Sequence, residues 1–157
     1  MTSESIRLYP DRAALAPVVE QTQPMVVDRG CQRCSLHEGA ARVCMPAEGT
    51  PGGILIVGMY PGLAEERAGR ANWGSTGQYL RKVVAKLWKG AVVYDHAVKC
   101  RPAKKSKLSD STVSACRPYL AQIIEDAKPT RIIALGSTAI KGVVGRGVPP
   151  LSTRRGY

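Results

Sequence analysis

The chain has 157 residues, 44% of them hydrophobic, which is enough for one domain with its own core and too few for two. Its 23 Lys and Arg against 12 Asp and Glu leave a formal net charge of +11, which indicates a polyanionic partner, nucleic acid first and a membrane surface second. No apolar run approaches the roughly 18 residues of a spanning helix and no signal peptide opens the chain. We therefore expect no membrane partner and a cytoplasmic location, in a bacterial or phage-infected cell.

Along the chain, an irregular start gives way to a regular alternation of strands and helices. Residues 1–30 mix charges, prolines and short apolar runs, which predicts an N-terminal arm before a domain over 31–157. The predicted strands are 53–59, 92–98 and 131–136, and the predicted helices are 75–88, 110–127 and 137–145. Continuous apolar strands alternating with helices predict an α/β sheet covered on both faces, with its site at the carboxyl ends of the strands.

The ends of the first two predicted strands carry residues suited to binding a planar ligand. The tight turn from Gly58 to Gly62 can bring backbone N–H groups close to a base or phosphate, because glycine has no β-carbon. Tyr60 and Trp73 offer stacking faces, and His96 can hydrogen-bond a carbonyl and change its charge near neutral pH. The alternative is structural for each: ordinary turn residues, aromatics covering a sheet edge, and a hydrogen-bonded histidine.

Five cysteines without a secretory signal favour metal ligation over a disulfide framework. Cys31 and Cys34 form a C-x-x-C pair, while Cys100 follows a predicted strand and Cys116 lies in a predicted helix. Their four thiolates can converge on tetrahedral zinc or on a [4Fe–4S] cluster, and the spacing does not choose between them. It also leaves open that Cys100 and Cys116 are ordinary buried cysteines. Cys44 has no partner in this pattern.

Basic residues cluster in and around the predicted loop beside Cys100. A loop held by metal ligands would present these cations to DNA phosphates, whereas the alternative is a solvated loop. The candidate phosphate contacts are Lys99, Arg101, Lys104, Lys105 and Lys107.

The chain resembles the family-4 uracil-DNA glycosylases from about Cys31 to Tyr157. The resemblance implies a three-layer α/β/α fold around a central, mostly parallel four-stranded sheet, and a [4Fe–4S] cluster on Cys31, Cys34, Cys100 and Cys116. It implies that the cluster pins loops that face DNA and does no redox chemistry. The segments that carry it are CQRCSLHE (31–38), GMYPGLAEERAGR (58–70), WGSTGQYL (73–80), VKCRP (98–102), ACRPYL (115–120) and KPTRIIALGSTA (128–139).

The resemblance also places a base-binding site, with several departures from the family pattern. Met59 replaces the acid of the family's Gly-Glu-Ala-Pro-Gly motif, its stacking aromatic falls at Asn72, and its uracil-reading Asn falls at His96. The family's later His-Pro motif is not reached by Tyr157, so we expect a C-terminally short domain. His96 and Tyr60 are the catalytic candidates, and the expected base-binding residues are Gly58, Met59, Tyr60, Pro61, Gly62, Asn72, Trp73 and His96.

Two functions follow as hypotheses. The first is a monomeric DNA base glycosylase that removes uracil or a related base from single- or double-stranded DNA, by flipping the nucleotide into a pocket. The second is an iron–sulfur DNA-binding module with weak or no excision activity, associated with replication or repair proteins. A zinc-stabilised nucleic-acid module unrelated to glycosylases ranks last.

Overall fold

A computed structural model describes residues 24–25, 28–103 and 108–145, and the secondary structure below refers to these. The elements, in chain order, are β1 (Pro24–Met25), α1 (Leu36–Gly39), β2 (Ala47–Gly49), β3 (Ile54–Gly58), α2 (Leu63–Ala68), α3 (Ser75–Leu87), β4 (Val92–His96), α4 (Asp110–Ala127), β5 (Arg131–Ala134) and α5 (Ser137–Val144).

The strands form one sheet in the order β1-β2-β4-β3-β5. The three strands β4, β3 and β5 run parallel, while β2 joins β4 antiparallel and β1 joins β2 antiparallel. The predicted α/β class is confirmed. Within the described residues the two-residue β1 is a fifth strand beyond the four expected, and it includes part of the segment predicted as an arm.

Helices cover both faces of the sheet, because successive side chains of a strand point to opposite sides. Leu55 and Val57 of β3 pack with residues of α4 such as Leu120 and Ile123. The alternate residues Ile54 and Ile56 pack on the other face, against Leu80 and Val84 of α3. The resulting layers are α/β/α, as predicted.

The helices predicted from apolar periodicity begin and end within one residue of α3, α4 and α5. The hydroxyl of Ser109 accepts a hydrogen bond from the N–H of Thr112 at 3.2 Å, which caps the start of α4. The prediction missed the short elements β1, β2, α1 and α2. No helix among the described residues is long and apolar enough to cross a membrane.

β5 differs from the buried strand that its apolar sequence predicts. Ile132 and Ile133 are 36% and 43% exposed. Only one edge of β5, the one facing β3, is paired within the described residues. Its apolar composition indicates a buried strand, but its position at the edge of the described sheet leaves its side chains partly exposed.

Candidate base-binding site and neighbouring cysteines

The carboxyl ends of β3 and β4 bring Gly58, Asn72 and His96 together. Gly58 and His96 are partners in the parallel register. A β-carbon on Gly58 would lie 3.0 Å from Cδ2 of His96 and 3.3 Å from Oδ1 of Asn72. His96 and Asn72 are both buried. Three residues predicted for the site therefore meet at one point, where the His96 and Asn72 side chains lie against Gly58 because glycine has no β-carbon.

His96 is held in its neutral form. Burial, reinforced by the nearby cations Lys99 and Arg81, lowers the pKa of its imidazole to about 3. The expectation that its charge changes near neutral pH is therefore wrong, since a buried ring between cations resists protonation. A neutral ring still has one nitrogen that donates and one that accepts a hydrogen bond.

The turn after β3 exposes Met59 and half-buries Tyr60. Met59 is 42% exposed and carries neither a proton donor nor a charge. Tyr60 packs against the apolar cluster that contains Val98 and Cys116, and Pro61 is buried. The N–H of Val98 donates to the carbonyl of Met59 at 3.0 Å, which ties the turn to the chain leaving β4. This side of the site is shaped by packing and offers no carboxylate from Met59.

A buried arginine fixes the backbone that carries Asn72. The guanidinium of Arg81 donates to the carbonyl of Asn72 at 3.2 Å and to that of Ala71 at 2.7 Å, and it pairs with Glu48. Asn72 itself has a left-handed backbone with φ of 47°. A β-carbon on Gly77 of α3 would lie 2.3 Å from the Asn72 carbonyl, so only glycine allows this approach.

Trp73 lies at the rim of the site under an arginine. The guanidinium of Arg70 stacks 3.5 Å from the centroid of the Trp73 ring and also pairs with Glu48 at 3.1 Å. One face of the indole is thus covered by the protein itself. Arg81 also lies 5.4 Å from this ring centroid, so a base stacking on the face that Arg70 covers would have to displace Arg70.

Lys99 does not act as the predicted phosphate contact. Its side chain is 1% exposed and pairs with Asp95 four residues earlier. Asp95 is fully buried and its Oδ2 has no hydrogen-bond partner among the described atoms. Burial raises the pKa of this carboxyl even though the Lys99 ammonium opposes the shift. The lysine follows β4 closely, and its position beside Asp95 turns it inward.

The four predicted ligand cysteines lie on three segments that pack near one another. Cys31, Cys100 and Cys116 are buried and Cys34 is half-buried. Burial raises the pKa of the Cys116 thiol to about 11, with neighbouring Cys34 and Cys100 adding to the shift. Burial also raises the pKa of the Cys100 thiol, and neighbouring Cys34 and Cys31 add to that shift.

A backbone N–H group already points at one of these sulfurs. The N–H of Cys44 donates to Sγ of Cys100 at 3.3 Å. Such N–H donors stabilise sulfur ligands of iron–sulfur clusters. The four cysteines and this N–H donor fit an iron–sulfur group. Within the described part of the chain, however, no three Cys, His, Asp or Glu side chains are arranged as a metal site.

The C-x-x-C segment is also fastened to the helix that carries Cys116. The hydroxyl of Tyr119 on α4 donates to Oδ2 of Asp28 at 3.1 Å. The guanidinium of Arg33 lies 5.5 Å from the Tyr119 ring centroid. These contacts hold residues 28–33 close to Cys116 without the help of a metal.

Glu66 is buried and binds both the chain between Cys34 and Cys44 and the residue after Cys100. Its Oε1 accepts from the N–H of Ala41 at 2.8 Å, and its Oε2 accepts from Nε of Arg101 at 2.6 Å. Burial alone would raise its pKa, but Arg101 and the two backbone donors at 41 and 42 hold the pKa below its ordinary value. Glu65 instead accepts from the N–H of Gly74 at 2.8 Å.

Of the predicted phosphate contacts, Arg101 remains partly exposed, with 25% of its side chain accessible. Lys104, Lys105 and Lys107 lie outside the described residues. They remain predictions from the sequence.

The sequence reasoning missed Glu48, Glu66 and Arg81. A signal was present for Arg81, because it stands on the face of α3 that carries Gly77, Leu80 and Val84, where an apolar residue is expected. Glu48 stands in a strand too short to recognise. Glu66 lies in α2, a six-residue helix that the sequence did not predict.

Several known proteins have sequences similar to this chain. Residues 49–155 match the family model of the uracil DNA glycosylase superfamily. A type-4 uracil-DNA glycosylase of Pyrobaculum aerophilum is 37% identical over 134 residues, which cover 82% of this chain and 68% of the relative.

Two other type-4 uracil-DNA glycosylases are similar at 30% identity. The protein of Sulfurisphaera tokodaii matches 74% of this chain and 54% of its own length. That of Thermotoga maritima matches 70% and 58%. The chain thus spans between about half and two thirds of the length of these three relatives. With the family model matching over most of its length, the chain belongs to the uracil DNA glycosylase superfamily.

Proposed function

We propose that this protein is a DNA glycosylase that hydrolyses the bond between the sugar and uracil, or a closely related base, in base-excision repair. The observation that carries the proposal is the meeting of Gly58, Asn72 and His96 at the strand ends of a superfamily domain. The relatives named type-4 uracil-DNA glycosylase support the choice of base.

In this proposal the target nucleotide leaves the DNA stack and its base enters beside Gly58. Flipping costs a few kcal/mol, which contacts to the base must offset. The base edge approaches the His96 and Asn72 side chains that lie over Gly58, and the neutral ring of His96 donates a hydrogen bond to a base carbonyl. The Asn72 amide, held by the Arg81-bound backbone, reads the same edge.

The reaction breaks the C1′–N1 bond, and its electron pair goes to the departing base. A hydrogen bond from His96 to the carbonyl oxygen where this negative charge develops stabilises the transition state. Water adds to C1′ of the sugar, and its proton balances the charge on the released base. Because Met59 carries no carboxylate, the proposed catalysis depends on stabilising the leaving group more than on activating water.

We further propose that Cys31, Cys34, Cys100 and Cys116 hold a [4Fe–4S] cluster. Four neighbouring cysteines, one of which accepts a backbone N–H hydrogen bond, support this choice, as does the type-4 family of the relatives. When bound, the cluster supplies structural cross-linking: it would join residues 31–34, the chain after β4 and helix α4. The partner is DNA, and a monomer within the cytoplasm stays a prediction.

A second candidate function is DNA binding without excision. The exposed Met59 at the acidic position of the family motif and the histidine at the base-reading position favour it. Under this alternative the protein would bind DNA in a salt-dependent manner and release no base.

The test uses brown, iron-quantified protein and labelled oligonucleotides with one uracil, in single and double strands. Alkali converts each abasic product into a strand break. The proposal predicts breaks at the uracil that His96→Ala and Asn72→Ala each reduce strongly while DNA binding persists. Binding without breaks on any uracil substrate would favour the second candidate.

A further inference from the structure

Beside the base-binding site lies a concave surface, which we name the arginine pocket. It has a volume of about 650 Å³ and is lined by Leu63 and Glu66 and by four arginines. This size falls in the range of pockets that bind nucleotide-sized ligands. The four arginines are Arg29, Arg42, Arg67 and Arg101.

The arginine pocket adjoins both the base-binding turn and the cysteine segments. Leu63 follows Gly62 directly, so α2 leads from the turn into the pocket wall. Arg101 follows Cys100, and Arg29 precedes Cys31. A ligand in the pocket would therefore lie close to a nucleotide that is flipped out of DNA and bound at Gly58.

The charge of the pocket is largely uncompensated. Glu66, its carboxylate, is occupied by Arg101 and by backbone N–H groups. Arg29, Arg42 and Arg67 are exposed, and within residues 28–103 and 108–145 none of them forms an ion pair. Converging guanidinium groups without carboxylate partners attract an anion with several acceptor oxygens.

The arginine pocket is also partly preorganised. The 2.6 Å contact between Arg101 and Glu66 fixes one guanidinium, and the N–H of Ala41 fixes the carboxylate from the other side. Arg42 packs over Gly69 at the end of α2, where a β-carbon would lie 3.2 Å from its Cζ. Fixed cations lose less conformational entropy when they bind a ligand.

We propose that the arginine pocket binds a phosphodiester group of the DNA strand next to the flipped nucleotide. The proposal rests on the proposed function, since DNA is its source of phosphate. The pocket would set the position of the strand, as backbone contacts do, and carry no sequence information. It also replaces Lys99, which is buried, as the phosphate contact near the cysteines.

The test measures binding of the full-length, iron-loaded protein to fluorescent single-stranded DNA without uracil, by anisotropy across a salt series. The variant Arg42→Gln/Arg67→Gln removes two pocket charges. Lys86→Gln/Lys89→Gln removes two charges in and just beyond the last turn of α3 and serves as the matched control. A thermal-shift series with inorganic phosphate, at ionic strength matched with sodium chloride, tests whether free phosphate occupies the pocket.

We expect the pocket variant to raise the Kd roughly tenfold and to lower the salt slope by about 0.7 for each phosphate that the protein no longer neutralises. The control should change the Kd by roughly twofold or less, because its charges lie far from the strand and are screened. Equal weakening of binding in both variants would overturn the proposal. Stabilisation by inorganic phosphate that the pocket variant abolishes, with unchanged DNA binding, would assign the pocket to free phosphate and overturn the DNA assignment.

Failure of the proposed function looks different. Pocket-dependent DNA binding without base release would support phosphate binding by the arginine pocket and contradict the proposed excision activity. Base release with binding weakened equally in both variants would keep excision and sink the arginine pocket.

Discussion

Gly58 and His96 face each other across neighbouring parallel strands so closely that a β-carbon on residue 58 would lie 3.0 Å from Cδ2 of the histidine ring. We predict that Gly58→Ala lowers uracil excision roughly tenfold, because a contact this tight shifts the histidine ring by a few tenths of an ångström, and a shift of about 1 Å would cost about 100-fold. The measurement is the single-turnover rate on uracil-containing DNA.

Gly39→Ala is the matched control, since a β-carbon there meets only an ordinary 3.5 Å contact with Ala103. Its excision rate should stay near that of the unmodified protein. If Gly58→Ala excised equally fast, the base would have to enter elsewhere.

His96 should remain neutral throughout the physiological range. Its pKa of about 3, lowered by burial and nearby cations, means that its ring signal in NMR does not titrate between about pH 5 and 8. The chain has only two histidines, so a His37→Gln variant leaves a single signal to follow. The same variant unfolded in urea is the control and should titrate near pH 6.5. A folded-state midpoint within that range would contradict the neutral hydrogen-bond donor.

The Glu66–Arg101 pair should matter for stability. Glu66→Gln removes a buried charge that accepts three hydrogen bonds, and we expect a decrease of about 2 kcal/mol in the free energy of unfolding. The folded protein holds the Glu66 pKa below its ordinary value of 4.5. This contribution is therefore fully present above pH 4.5 and is lost as the pH falls through the lowered pKa.

Urea unfolding of both proteins at neutral and acid pH measures this difference. The exposed Glu38→Gln in α1 is the control and should have little effect. We expect the difference in free energy of unfolding between Glu66→Gln and the unmodified protein to become smaller at acid pH. A difference that became larger at acid pH would contradict this expectation.

Substitutions should separate the cysteines that bind the cluster from Cys44, which does not. Cys100→Ala and Cys116→Ala should lose iron and visible colour, since each removes one thiolate of the proposed cluster. Cys44→Ala should keep both, because the N–H that donates to Cys100 belongs to its backbone. Iron content and visible absorption measure the outcome. Loss of iron in Cys44→Ala alone would require a different ligand set.

The sequence predicted the helices and the central strands well because their signal is local. Apolar runs and periodic faces set α3, α4 and β3 within a residue or two. The motifs also named the residues that meet at the strand ends. The approach of Gly58 to His96 needed only the expectation that neighbouring parallel strands end at the same edge.

Contacts between distant segments were beyond this reasoning. Nothing local distinguishes Lys99, which turns inward to Asp95, from a surface lysine. Glu66 finds Ala41 25 residues earlier and Arg101 35 residues later, and such a pairing follows only from the fold. The same holds for the arginine pocket, whose cations come from separate segments.

The central claim is that this chain releases uracil from DNA. Mass spectrometry of the products from iron-loaded protein and a single-stranded oligonucleotide with one uracil tests it most directly. We predict free uracil and an equal amount of abasic strand. Intact oligonucleotide, with DNA binding retained, would contradict the claim and leave a DNA-binding protein on a glycosylase scaffold.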